Sequence, residues 1–287
     1  MKISAFTFIR NGQMLGYPFV ESIKSVLPIV DEFVVNIGPS EDNTEDLIKK
    51  IDNKKIKIIK SSWAEKMNDK GFVYGHQKMI AQFNCSGDWL FYIEGDEVYH
   101  EKDIKKIKSV FNKYKNDKNV EALAFNYFHF YGNKNSYLNS PGWYRTEVRA
   151  IKSNIRTYAP DGLFWVVLDK NKKGRYPKAK LIDAYCYHYG WVRTEEQMNM
   201  RRQKVGPYWG NNSPEDISYL NIDQKIIKQY TGTHPLVMVD WLRKAKDIFT
   251  ADPNYKLTRR DRRHRILLKI EKLFSLDLSK KHYKLIK

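Results

Sequence analysis

The N-terminal third of the chain alternates short apolar runs with segments of helical periodicity. The apolar runs occupy residues 3–9, 32–38, 55–59 and 89–93. Between them, apolar residues recur at the spacing of a helix, as they do from Phe19 to Leu27. The last run is apolar at every position, which is typical of a strand buried on both faces in a parallel sheet. The sequence therefore predicts an α/β fold, with a sheet flanked by helices.

In the remainder of the chain, the pattern of apolar and polar residues changes twice. After a polar helix predicted at residues 103–115, aromatic segments such as "AFNYFHFYG" and "AYCYHYGW" indicate short strands with loops between them. From Asp240 onward the pattern is helical and basic. We therefore predict a main domain at residues 1–238, divided into halves at 1–100 and 101–238, and a basic helical C-terminal extension at 239–287.

Charge and cysteine content limit the class of protein. The chain carries 51 lysines and arginines against 33 acidic residues, a formal net charge of +18. This excess indicates an anionic partner, such as nucleic acid, an acidic membrane or a phosphorylated substrate. The two cysteines make neither a disulfide framework nor a metal-ligand spacing, which fits a reducing compartment. With neither a membrane span nor a signal peptide in the sequence, we expect a cytoplasmic protein.

The segment "LFYIEGDEV" ends a buried run in three acids, Glu94, Asp96 and Glu97. In doubly wound sheets, ligands bind beyond the carboxyl ends of the strands, where these acids should lie. Carboxylates two residues apart can present oxygens to Mg²⁺ or Mn²⁺, and the metal can in turn bind a diphosphate. An acidic turn after a core strand is the alternative interpretation.

Two motifs in this order carry a family resemblance. "DEFVVNIGPSEDNT" follows the first helix and "GDWLFYIEGDEV" follows the third, and together they resemble the family 2 glycosyltransferases of the GT-A fold over about residues 1–205. The resemblance implies a GT-A-like, Rossmann-type mixed sheet, with a nucleotide-sugar-binding half before an acceptor-binding half. It implies a metal-dependent, inverting transfer of a sugar, such as a hexose, from a nucleotide-diphosphate sugar to a glycan or lipid-linked acceptor, in surface polysaccharide or glycoconjugate biosynthesis.

The resemblance also assigns residues to the donor site, with two departures. The Asp-x-Asp motif of these enzymes begins here with Glu94, so Asp96 is the expected ligand of Mn²⁺ or Mg²⁺, and Glu94 is expected nearer the ribose or a metal-bound water. Asn36 stands where these enzymes carry a base-recognising Asp, which leaves UDP-sugar and GDP-sugar donors both open. His188 is expected as a further metal ligand, and Arg193 as a phosphate-binding residue.

Further basic residues complete the expected donor site. Arg10 and Lys78 are predicted to bind the nucleotide sugar. Lys204, with Arg201 and Arg202, precedes "VGPYWGNNSP", a glycine-punctuated segment that could close over the donor.

An inverting transfer needs a base that deprotonates the acceptor hydroxyl. The resemblance points to Asp161 in "YAPDGLFW" as this catalytic residue. An Asp-Gly turn is the plainer interpretation of the same residues, and Glu97 and Asp183 are alternative bases. Arg145 and Arg149, four residues apart, should share one face of a strand and could neutralise an anionic acceptor or the donor phosphates.

The basic C-terminal segment "RRDRRHRILLKIEKLF" predicts an amphipathic helix. Its apolar residues Ile266, Ile270, Leu273 and Phe274 fall on one face and are surrounded by bases. Such a helix can lie in a membrane interface, which would place the protein at the inner face of the membrane, or it can pack on the main domain.

Two other functions compete with sugar transfer. A sugar nucleotidyltransferase would carry a glycine-rich, basic phosphate loop after the first strand, and "IRNGQMLGYP" matches that poorly. A nucleic-acid-binding protein would explain the basic charge but not the acids of "EGDEV", since carboxylates repel a phosphate backbone. We therefore predict no nucleic-acid partner.

Overall fold

The computed structural model describes residues 1–67, 69–210, 218–245 and 251–286. Its strands are β1 (Ile3–Ile9), β2 (Glu32–Ile37), β3 (Ile56–Lys60), β4 (Trp89–Tyr92), β5 (Glu97–Tyr99), β6 (Ala122–Tyr131), β7 (Ser136–Leu138), β8 (Thr146–Lys152), β9 (Thr157–Tyr158), β10 (Val166–Leu168), β11 (Gly174–Arg175), β12 (Lys178–Trp191), β13 (Ile227–Gln229) and β14 (Lys284–Leu285). Its α-helices are α1 (Phe19–Val26), α2 (Thr44–Lys49), α3 (Phe72–Phe83), α4 (Glu101–Tyr114), α5 (Glu195–Val205), α6 (Val239–Lys244) and α7 (Arg259–Phe274).

Within these ranges, 11 strands form one mixed sheet and three form a small separate one. The large sheet runs β13-β7-β6-β8-β4-β1-β2-β3, and β12 pairs with β5, β6 and β14. Strands β4, β1, β2 and β3 are parallel, whereas β8 is antiparallel to both β4 and β6. The predicted α/β fold, with a mixed sheet flanked by helices, is confirmed.

Both faces of β4 are buried. In β4, Trp89 and Phe91 belong to one apolar core, while Leu90 and Tyr92 belong to another on the opposite face. Helices α1 and α4 cover the first face, and α3 contributes Ala81 to the second. The continuous apolar run of β4 is thus explained, because neither face of the strand meets water.

The acids after β4 do not all lie in a loop. Glu97 begins β5, a short strand antiparallel to β12 that pairs Glu97 with His188. This turn brings the end of β4 against the second half of the sheet. The acids and the histidine predicted as a metal ligand therefore come from neighbouring strands.

The C-terminal residues add to the main sheet. Tyr283 lies in an apolar core, and β14 pairs in parallel with the start of β12. Helix α7 is tied to the main domain by Arg145, whose guanidinium binds Glu271 at 2.7 Å. The predicted division at residues 238 and 239 stays a prediction. None of the helices in the described ranges has both the length and the apolar content needed to cross a membrane.

Candidate functional site

A cavity of about 350 Å³ opens at the carboxyl ends of β1 and β4. This is the edge where ligands bind in sheets of this kind. Its polar lining includes five of the residues predicted for the donor site, namely Arg10, Glu94, Asp96, His188 and Lys204. These five residues thus share one cavity, and their roles in donor binding stay predictions.

Asp96 is the centre of the polar cluster. Its Oδ1 lies 3.6 Å from His188 Nε2, and its Oδ2 accepts a 3.0 Å hydrogen bond from Arg193 Nη2. Burial alone would raise the pKa of the Asp96 carboxyl, but the His188 imidazole beside it and the guanidinium groups of Arg193 and Arg201 keep that pKa below its ordinary value. Asp96 is therefore a carboxylate, able to bind a cation.

Arg193 is held behind Asp96 and does not line the cavity. Its guanidinium lies 4.0 Å from the ring centre of Tyr17, and Nε donates to the Gly16 carbonyl oxygen at 3.1 Å. Its Nη1 is buried and has no hydrogen-bond partner within the described ranges. That spare donor beside Asp96 would suit an anionic ligand.

Glu94 and Glu97 share a single buried cation, Arg149. Arg149 has no solvent exposure and binds Glu97 at 2.7 Å and Glu94 at 2.8 Å. Glu97 is also fully buried and accepts a hydrogen bond from the Tyr127 hydroxyl, whereas Glu94 reaches the cavity. Burial raises the pKa of Glu94 to about 8, although Arg149 opposes the shift. A protonated Glu94 can donate a hydrogen bond to a ribose or phosphate oxygen.

Asp161 lies in a loop that buried side chains hold in place. Its Oδ1 accepts a 2.8 Å bond from the Leu163 amide, while Gly162 and Leu163 themselves line the cavity. Two buried cations donate to the carbonyls of this loop. Lys78 Nζ binds the Gly162 and Leu163 oxygens at 3.3 and 3.2 Å, and Arg149 Nη1 binds the Leu163 oxygen at 2.9 Å. Hydrogen bonds from buried core residues therefore fix the position of the loop.

Lys78 contributes to this rigidity and does not line the cavity. Its ammonium lies 4.1 and 3.7 Å from the ring centres of Tyr92 and Trp165. Burial lowers the pKa of Lys78 to about 7, while the two ring faces and the two carbonyl oxygens favour the charged form. Helix α3, which carries Lys78, packs tightly on the loop, because a Cβ at Gly75 would lie 2.3 Å from the Ala159 oxygen.

The remaining predicted residues are placed as follows. Asn36 is fully buried away from the cavity, where its amide bonds Gln77 at 2.9 Å and the Ser61 hydroxyl at 2.7 Å. Among the alternative bases, Asp183 is 88% exposed and pairs with Lys106, and Glu97 has no exposed surface. Neither of them lines the cavity, and the same holds for Asp161, whose neighbours Gly162 and Leu163 do.

The mouth of the cavity carries paired cations. Arg10 Nη1 binds Glu65 at 2.6 Å, and Lys204 Nζ binds Glu41 at 3.0 Å. Arg201 also lines the cavity and donates to the Tyr17 hydroxyl at 2.9 Å. The segment proposed to close over the donor begins as a short 3₁₀ helix, Gly206–Trp209, while its residues 211–214 lie outside the described residues.

The cavity is also lined by an aromatic wall, which no pattern in the sequence had predicted. Its members are Phe8, Trp63, Tyr74, Tyr208 and Trp209, whose neighbouring rings have centroids 5.4 to 6.2 Å apart. Aromatic faces stack on sugars and nucleobases, so the wall gives the cavity an apolar surface, which Arg10 contacts through the Trp63 ring and the Tyr208 hydroxyl. Of these residues only Tyr208 and Trp209 lay in a segment that the sequence analysis had placed near the donor.

The donor set at Asp96 fits a divalent cation. In the part of the chain that the structure describes, no three His, Cys, Asp or Glu side chains are grouped to hold a metal alone. Asp96 Oδ1 and His188 Nε2 are nevertheless close enough to share one ion. Mg²⁺ commonly uses one or two protein ligands, with substrate phosphates and waters completing its shell. The residues present are therefore compatible with Mn²⁺ or Mg²⁺.

Comparison with known proteins gives one informative relative. No family model matches the chain. An uncharacterised glycosyltransferase of Rickettsia typhi, RT0209, is 24% identical over 203 residues, which are 69% of this chain and 63% of that protein. The chain thus matches less than two thirds of the length of this relative. The similarity confirms the resemblance to glycosyltransferases, whereas membership of family 2 stays a prediction.

Among solved structures the similarities are weaker. TarS from S. aureus is 14% identical, with a TM-score of 0.40 over 75% of this chain and 41% of that chain. Glucosyl-3-phosphoglycerate synthase from Mycobacterium tuberculosis, solved with Mn²⁺, uridine diphosphate and phosphoglyceric acid, is 17% identical, with a TM-score of 0.33 over 44% and 43% of the two chains. Neither similarity bears on the function of this protein.

Proposed function

We propose that this protein is a metal-dependent, inverting glycosyltransferase that moves a sugar from a UDP-sugar or GDP-sugar to a hydroxyl of a glycan or lipid-linked acceptor. One observation carries the proposal. A single cavity at the carboxyl ends of parallel strands combines Asp96 and His188 with the cations Arg10, Arg201 and Lys204. The aromatic wall lines the same cavity, and the similarity to a glycosyltransferase adds support.

Each group in the cavity has a role in this reaction. Asp96 and His188 would hold Mn²⁺ or Mg²⁺, which stabilises negative charge on a leaving diphosphate. Arg201 and Lys204 bind phosphate oxygens, and Arg193 keeps Asp96 ionised and oriented. The aromatic wall stacks on the sugar or the base and excludes water.

The acceptor side is assigned to the Asp161 loop. In the proposed mechanism, the Asp161 carboxylate takes the proton from the acceptor hydroxyl as the sugar is transferred. Lys78 and Arg149 hold the loop by its carbonyls, so the base keeps one position during turnover. The proposed biological role is the synthesis of surface polysaccharide or another glycoconjugate.

The loop after β1 argues against the sugar nucleotidyltransferase alternative. In such an enzyme, backbone amides of this loop would be free to bind phosphates. Here the Gly12 and Met14 amides donate at 2.8 and 2.7 Å to the side chains of Thr44 and Asp42. Since these donors are already used, the loop is poorly suited to hold a triphosphate. We likewise propose no nucleic-acid partner, because binding to nucleic acid would leave the carboxyl groups of Glu94 and Asp96 in the cavity unexplained.

Thermal unfolding with nucleotides tests the proposed donor. A ligand that binds only the folded state stabilises it by about 2.7 kcal/mol at one hundred times its Kd. We expect UDP or GDP to raise the melting temperature in the presence of Mn²⁺ and much less with EDTA, and ADP to have little effect. If no nucleoside diphosphate shifts the transition with Mn²⁺ present, the proposed donor class is wrong.

The exposed face of α7 supports a further part of the proposal, contact with an anionic membrane. The helix is docked by Leu268, by Glu271 bound to Arg145, and by Arg265 bound to Asp223. Its predicted apolar face points away from these contacts, and Leu273 is 76% exposed and Phe274 62%. Apolar side chains flanked by bases fit a membrane interface with acidic lipids. The proposed location is the cytoplasm, at the inner face of the membrane.

Replacing both Leu273 and Phe274 with Glu should weaken binding to acidic vesicles. Burying the two side chains contributes about 3 kcal/mol or more, so a loss of roughly 100-fold in partitioning is expected at low salt. Vesicle co-sedimentation measures it, with Phe83→Glu as a matched control, since Phe83 is 74% exposed on a different helix. Unchanged partitioning of the double variant, or an equal loss in Phe83→Glu, contradicts the membrane role.

A further inference from the structure

Two buried histidines lie side by side beneath the proposed metal position. His129 in β6 and His188 in β12 are register partners in adjacent parallel strands. Their Nδ1 atoms are 3.0 Å apart, a hydrogen-bond distance. In neutral imidazoles, such a contact requires that one ring donates a proton and the other accepts it. Which ring donates decides whether the far nitrogen of His188 carries a lone pair or a proton.

The second nitrogen of His129 settles the direction. His129 Nε2 lies 2.7 Å from the Tyr144 carbonyl oxygen, which can only accept a hydrogen bond. Nε2 of His129 therefore carries the proton, and its Nδ1 is the acceptor. His188 must donate through Nδ1, which leaves its Nε2 without a proton and 3.6 Å from Asp96 Oδ1.

The packing keeps His129 in this orientation. The ring is 1% exposed and is stacked on Tyr127 at 5.1 Å, with Tyr144 edge-on at 4.6 Å. The opposite tautomer of His188 would place two lone pairs against each other at 3.0 Å. In exchange, its proton would face Asp96 across a distance too long for a good hydrogen bond.

We propose that His129 is a positioning residue that fixes His188 as the Nδ1–H tautomer and thereby presents the Nε2 lone pair to a divalent cation beside Asp96. This inference rests on the metal-dependent function proposed above. Partners of this kind orient metal-ligating histidines, and their loss typically lowers metal affinity by about 10–100-fold. His129 makes no contact with the cavity itself, so it acts through His188.

The tautomer can be read directly from the metal-free protein. With ¹⁵N-labelled histidine, the ring-nitrogen shifts of His188, assigned from their loss in His188→Gln, should show a protonated Nδ1 and a bare Nε2. A protonated Nε2 overturns the inference. This measurement needs neither metal nor activity, so it separates the inference from the proposed function.

Two substitutions of His129 separate tautomer control from packing. His129→Phe fills the space but cannot accept a hydrogen bond, whereas the Oδ1 of His129→Asn can take the place of the lost Nδ1 acceptor. In Mn²⁺ titrations followed by EPR with UDP present, we expect the Phe variant to bind roughly 10–100-fold more weakly and the Asn variant to stay within a few-fold of wild type.

The controls make each outcome decisive. His234→Phe removes a half-buried histidine that bonds the Tyr189 hydroxyl away from the cavity, and should leave Mn²⁺ binding unchanged. Equal losses in the Phe and Asn variants, or no loss in either, contradict the inference. Wild-type protein that binds no Mn²⁺ contradicts the metal-dependent function and the metal part of this inference, while the ring-nitrogen shifts still report the tautomer.

Discussion

Asp161→Asn should lower the turnover of a working donor and acceptor pair by about 10²–10⁴-fold, the range for loss of a general base. The Kd for the nucleotide should stay within a few-fold of wild type, because the proposed role of Asp161 is on the acceptor hydroxyl. The amide keeps an oxygen for the Leu163 hydrogen bond, so the loop should keep its shape. Steady-state kinetics and calorimetry on the same preparations measure the two effects.

Asp96→Asn is the matched comparison, since it should weaken both nucleotide binding and turnover. It removes a charge that Arg193 and the proposed metal share. Near-normal turnover in Asp161→Asn, together with its loss in Glu97→Gln or Asp183→Asn, would show that the base is misassigned. If all three variants kept full transfer, the inverting mechanism itself would need revision.

Arg149→Met should destabilise the folded protein by about 3–5 kcal/mol, the usual effect of removing one partner of a buried ion pair. Glu97 would keep its burial but lose the guanidinium that binds both of its oxygens at 2.7 to 3.0 Å. The Leu163 carbonyl would lose one donor as well. Urea titration followed by circular dichroism measures the free energy of unfolding.

Arg175→Met is the matched control for this prediction. Arg175 also forms a two-pronged bond to a carboxylate, Glu121, but its side chain is 33% exposed. Glu121 is itself buried, but water reaches the Arg175 guanidinium, so this variant should lose less stability than Arg149→Met. Adding Glu97→Gln to Arg149→Met should recover part of the stability. A loss in Arg149→Met no larger than in Arg175→Met would contradict the importance of the buried charge.

The sequence predicted the parallel half of the fold because its signals are local. The strands of that half are mainly apolar, β4 without interruption, and helical periodicity separates them. The acids after β4 could be located in the same way, since the carboxyl end of a parallel strand is a known position for ligands. Asp96 and His188 were both anticipated, and the structure brings them to 3.6 Å.

Arg149 shows where a prediction from residue spacing along a strand fails. Strict alternation along a strand placed it on one face with Arg145. The pairing of β8 with β6 shifts register between Val148 and Ala150, so that Arg149 is an extra residue in a bulge. Arg145 turns instead to Glu271 and Asp277 of the C-terminal segment. A bulge leaves no mark on residue spacing, so no pattern in the sequence could have assigned these partners.

The aromatic wall and the contact between the two histidines were missed for a different reason. Trp63 and Tyr208 are 145 positions apart in the chain, yet their rings meet at 5.6 Å. His129 faces His188 only because β6 and β12 pair in one particular register. Both contacts depend on tertiary packing, and a single sequence does not encode that information in any readable spacing.

The paired cations at the mouth of the cavity bear on selectivity among anions. Arg10 and Lys204 are already bound to Glu65 and Glu41, so an incoming anion must replace a carboxylate at each position. Binding therefore gains only the difference in free energy between the pairing of each cation with the ligand and its pairing with the glutamate. A ligand that presents several phosphate oxygens to both cations at once can gain enough free energy to displace the glutamates. A lone inorganic phosphate only replaces one carboxylate with an anion of similar affinity. Glu65 and Glu41 thus compete with incoming anions for Arg10 and Lys204. The net charge of +18 therefore overstates how readily this site binds simple anions.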